Sequence, residues 1–130
     1  MKTISALSAL MLGVLLISGC STPHTVAQMS GRGTRELYDA DYDRVWSAAI
    51  ASAQHDDLYI LNADKSAGYI SARRGWRPET FGENVGIWVR PVGSHQTEVE
   101  VVSRQAGPPI IALRNWEHRI LGSISANLTT

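Results

Sequence analysis

From Thr34 onward the sequence predicts one α+β domain, an antiparallel sheet with two amphipathic helices packed on one face. Apolar side chains recur at three- and four-residue spacing in two separated stretches, one around Trp46 and one around Ile120. Between them lie four short runs rich in aliphatic and aromatic residues, paired across turn residues. Strands grouped between two such helices bury their apolar surface when both helices stack on the same side of the sheet.

Taken in order, Thr34 to Asp39 reads as a short first strand, with Leu37 its best core contact. Tyr42, Val45, Trp46, Ala49, Ile50 and Ala53 then form one helical stripe, and Asp41 or Asp43 can accept from the free amides at its start. Leu58 to Ala63 and Tyr69 to Arg73 flank Asp64-Lys65-Ser66-Ala67-Gly68, whose glycine suits the positive φ of a hairpin loop. Gly86 to Val92 and Thr97 to Ser103 form a second hairpin across Gly93 to Gln96. Gly107-Pro108-Pro109 is a break, after which Leu113, Trp116, Ile120, Ile124 and Leu128 make the second stripe. The expected order is β-α-β-β-β-β-α.

Ahead of this domain, Lys2 precedes a mostly apolar run from Ile4 to Ile17. That is short of the ~20 apolar residues a spanning helix needs, and it suits the apolar region of an export signal. The run ends in Ile17-Ser18-Gly19-Cys20, which resembles the lipobox of bacterial lipoproteins. The resemblance implies cleavage after Gly19, diacylglycerol on the Cys20 thiol and a third acyl chain, such as palmitate, on its freed amine. Three chains exceed what stable anchoring requires, at ~0.8 kcal/mol per buried CH₂. Ser21, where an aspartate would favour the inner membrane, points to the outer membrane and its periplasmic face. The chain thus divides into a signal peptide (1–19), a lipidated flexible tether (20–33) and the domain (34–130). With no apolar period, the tether should reach roughly 20 Å as a coil.

The composition narrows the function further. Lys plus Arg and Asp plus Glu number 12 each, and loss of Lys2 with the signal leaves the mature chain slightly acidic. A nucleic-acid partner is not expected, because phosphate binding draws on a basic excess. Cys20 is the sole cysteine, so neither an internal disulfide nor a cysteine zinc site can form.

Tyr42-Asp43-Arg44-Val45-Trp46-Ser47-Ala48-Ala49, then Leu58-Tyr59-Ile60, then Asp64 to Ala72 resemble the signature of small envelope lipoprotein domains, among them the helix-grip domains of BamC-like lipoproteins of the β-barrel assembly machinery. The resemblance implies a helix-grip-like two-layer sandwich. It carries over no binding residues.

No chemical constellation stands out. His24, His55, His95 and His118 lack ligand spacing, no nucleophile elbow or phosphate loop is present, and no metal, cofactor or catalytic residue is expected. Glu98 and Glu100 read as the wet face of a strand whose Val99 and Val101 are buried. The most suggestive surface is the loop carrying Arg73, Arg74, Trp76, Arg77 and Phe81, since arginine and aromatic residues are enriched where proteins bind partners. The expected function is a non-catalytic binding or accessory module of the cell envelope, lipid-anchored, with a protein or polymer partner. The alternative is an envelope hydrolase or small-ligand carrier with a pocket between sheet and helices.

Overall fold

The computed structural model describes residues 21–55, 58–78, 81–107 and 116–130. The lipobox, Cys20 and Leu113 lie outside the described residues. A short helix α1 (Pro23–Ala27) precedes β1 (Thr34–Tyr38), α2 (Tyr42–Ala53), β2 (Leu58–Asp64), β3 (Tyr69–Arg74), β4 (Glu83–Pro91), β5 (Thr97–Gln105) and α3 (Trp116–Thr129). The five strands form one antiparallel sheet in the order β1-β5-β4-β3-β2. Helices α2 and α3 pack side by side on one face, a two-layer sandwich of the helix-grip kind.

Local chemistry explains each element. Asp41 caps α2 by accepting the Arg44 amide at 2.9 Å, and Val45, Trp46, Ala49 and Ala53 turn its stripe inward. The β2–β3 turn closes on Asp64, whose carboxylate accepts from Ser66 Oγ at 2.7 Å and the Ala67 amide at 3.0 Å. Gly68 completes the turn at φ +68° with its carbonyl bonded to the Val89 amide, a place no side chain could share. A bulge between Ile60 and Asn62 shifts the register of the edge strand β2.

Alternation along the strands selects the core. Ile70 and Ala72, Val85, Ile87 and Val89, and Val99 and Val101 face the helices, where they meet Val45, Trp46, Trp116, Ile120 and Ile124. In the first strand the inward residue is Tyr38, buried and donating its hydroxyl to the Leu121 carbonyl at 2.8 Å. Leu37, expected in the core, is 51% exposed because β1 presents its odd position to the other side. Glu117 ties α3 to the sheet by accepting from Thr34 Oγ1 at 2.6 Å and the Ser103 amide at 3.1 Å.

The structure corrects the expectation of a flexible tether. The described part of that segment, Ser21 to Gly33, folds across the sheet face opposite the helices. Gly86 provides its seat: a Cβ there would come within 3.0 Å of Val26 and 2.9 Å of the Trp88 ring. Val26 is consequently buried to 1% exposure, and the segment forms a third, partial layer.

Candidate functional site

The suggestive loop leaves β3 and returns into β4 at one end of the sheet. Its residues diverge in their surroundings. Arg74 follows Ile70 and Ala72 on the inward face and is buried, with its guanidinium 3.7 Å from Glu83 and 5.7 Å above the Trp116 ring. It closes the end of the core and is unavailable to a partner, which corrects its place among the candidate binding residues. Arg73 lies on the opposite face in register with Asn84, half-buried, and Arg77 is half-buried beyond it. Trp76 is the most exposed large hydrophobic among the described residues, at 67%, and Phe81 stands 41% exposed with its ring against Gly107. The structure thus gathers the exposed rings of Trp76 and Phe81 at this end of the sheet, with exposed Tyr59 in register beside Arg73.

Ser21 is fixed at this same end. Its hydroxyl donates to the Gln105 carbonyl at the close of β5. Asn84 Nδ2, at the opening of β4, donates to the Ser21 carbonyl at 3.0 Å. Nothing in the sequence around Ser21 signalled this, since a serine and a backbone carbonyl have no periodicity.

Glu100 is the second feature missed by the sequence reading. It was expected on a solvated face, yet its side chain is fully buried beneath the covering segment. Oε1 accepts from the amides of Gly31 at 2.6 Å and Gly33 at 3.0 Å, and Oε2 from the Arg90 guanidinium at 3.0 Å. Arg90 also reaches Glu98 at 3.3 Å and Ser30 Oγ at 2.6 Å. Burial by itself would raise the Glu100 carboxyl, but the hydrogen bonds from Gly33, Arg90 and Gly31 and the charge of Arg90 outweigh it and hold the group below its ordinary value. The two glutamates therefore form a clasp with Arg90.

The histidines are dispersed. His24 sits in α1 beside Gln28, His55 follows α2, His95 lies in the β4–β5 turn and His118 is in α3. Among the described residues, no three His, Cys, Asp or Glu side chains are grouped to hold a metal ion. Among the described residues, the core packs the space between sheet and helices. The void beside Trp116, Ser52 and Arg119 measures only about 30 Å³, room for one or two waters. Among the described residues, clefts of about 310 to 440 Å³ are open grooves on the surface, one of them between α2 and α3 and bordered by Arg44, Ser47 and Asn127. No described helix is long and apolar enough to cross a membrane.

No family model and no curated protein matches this chain. Among solved structures it is similar to an uncharacterised protein from Bacillus thuringiensis, at 10% identity and TM-score 0.49, over 74% of this chain and 91% of that one. It is also similar to the Zhui aromatase/cyclase from Streptomyces sp. R1128, at 15% identity and TM-score 0.39, over 75% and 87%. A third is Ara h 8.0201, at 8% identity and TM-score 0.37, over 74% and 93%. Likenesses this distant transfer neither activity nor ligand to this chain.

Proposed function

We propose that the protein is a lipid-anchored, non-catalytic module of the bacterial envelope, held by acylated Cys20 on the periplasmic face of the outer membrane, where it serves an envelope protein or polymer. The sequence Ile17-Ser18-Gly19-Cys20 at the end of a 14-residue, mostly apolar run carries this reading. The filled interface between sheet and helices supports a binding role over the carriage of a small ligand inside the fold.

Metabolic labelling with a radioactive fatty acid tests the anchor. The wild-type chain should take up label and appear in outer-membrane fractions, whereas Cys20→Ala should remain an unlabelled, unprocessed precursor. Label in the Cys20→Ala chain would refute the assignment.

A further inference from the structure

We propose that the sheet end bearing Trp76 and Phe81 rests on the bilayer that holds the Cys20 acyl chains, with both rings in the headgroup layer. This rests on acylation of Cys20 and goes beyond it, because an anchor alone does not orient a domain. Were Ser21 to Gly33 a free coil, the domain could tumble roughly 20 Å above the lipid. The segment is instead held along its length, by Ser21 on Gln105 and Asn84, by buried Val26 on Gly86, and by the Gly31 and Gly33 amides on Glu100.

One Cα-to-Cα step of about 3.8 Å joins Ser21 to the acylated residue. The lipid therefore attaches at the end of the sheet where β3 and β5 finish and β4 starts. Trp76 lies three residues past Arg73, the register partner of Asn84, and Phe81 precedes Asn84 by three and contacts Gly107. At ~3.3 Å per extended residue, the backbones of Trp76 and Phe81 lie within about 10 Å of Arg73 and of Asn84, the adjacent strand positions beside Ser21. Aromatic rings of this kind favour the membrane–water boundary, where their apolar bodies leave water.

The opposite end carries exposed Asp39, Asp41, Asp43 and Asp64 beside Arg44 and Lys65, the last paired with Asp43 at 2.8 Å, and among the described residues it presents no exposed aromatic ring of the Trp76 kind. At the Trp76 end Arg73 and Arg77 are both half-buried, so the rings rather than net charge drive the contact. Zwitterionic lipid should serve as well as anionic lipid, and salt should not release the rings.

The acylated mature protein is reconstituted into vesicles of phosphatidylcholine and phosphatidylethanolamine, part of whose acyl chains carry bromine close to the headgroup. Acylation is read by mass spectrometry and tryptophan emission by fluorescence. Bromine should quench a share of the wild-type emission, undiminished in high salt, and that share should vanish in Trp76→Tyr, whose stability should match wild type. An acylated, vesicle-bound protein quenched equally with and without Trp76 overturns the orientation and leaves the anchor standing. A mature chain without acyl groups overturns both. In intact cells, a photoreactive residue at position 76 should form adducts with lipid; adducts with a protein instead would assign the rings to a protein partner and overturn the proposal.

Discussion

A carboxylate on the solvent side of a sheet ordinarily keeps its water; Glu100 has exchanged it for two backbone amides and a guanidinium. That exchange is favourable only while the group is ionised, which fixes the sign of its pH dependence. Because its folded value lies below the ordinary 4.5, Glu100 stabilises the fold fully above about that pH and progressively less as pH falls through the folded value. Glu100→Gln should cost about 1 to 3 kcal/mol at neutral pH, the usual worth of hydrogen bonds to a charged group. The gap between variant and wild type should narrow below pH 4.5. Urea unfolding of both chains across pH checks this, and a gap independent of pH would show that charge is immaterial at the site. Sequence alternation placed Glu100 on the correct face of β5. It could not reveal that the face is covered, because the covering contacts are made by glycine amides, which leave no mark in composition.

At the scale of elements, the helical stripe of α2 and the hairpin turns were legible in the sequence because each is set by residues close together along the chain. Asp41 caps, Gly68 turns, and Trp46 points inward at 8% exposure with its ring 6.2 Å from that of Tyr42. Trp46→Ala should therefore destabilise the domain by about 3 to 5 kcal/mol, the cost of removing a large buried aromatic. Leu37→Ala, on a strand whose buried partner is Tyr38, should cost under about 1 kcal/mol. Thermal or urea unfolding of the pair discriminates the structure from the sequence expectation, under which Leu37 would also be costly. Arg74 was legible in the same way and was overlooked: the alternation that turns Ile70 and Ala72 inward continues to it, two residues on. A charged residue on the buried face needs a partner, and Glu83 in the facing register position supplies one.

On the scale of the whole molecule, the boundary that sequence patterning draws at Thr34 is not where the folded body starts. A chain beginning at Thr34 would lose Val26, whose burial contributes about 1.5 to 3 kcal/mol, together with the amide partners of Glu100. It would also uncover Gly86, Trp88 and Val102 on one face of the sheet. Such a truncation should unfold at lower urea than the chain starting at Ser21 and should self-associate through that face. Unfolding curves with sedimentation measure both effects, and equal stability would mean that the segment merely lies on the sheet.

The strand order also governs when the fold can exist. Strand β1 has one neighbour, β5, with Thr34 paired to Val101, while β2 to β5 pair in succession as they are made. A chain delivered N-terminus first holds β1 and the segment ahead of it without their seats until nearly all of the domain has followed. Such late, long-range closure slows folding. Thr34 and the segment ahead of it therefore gain their seats on Val101 and Glu100 only once the last strand is in place.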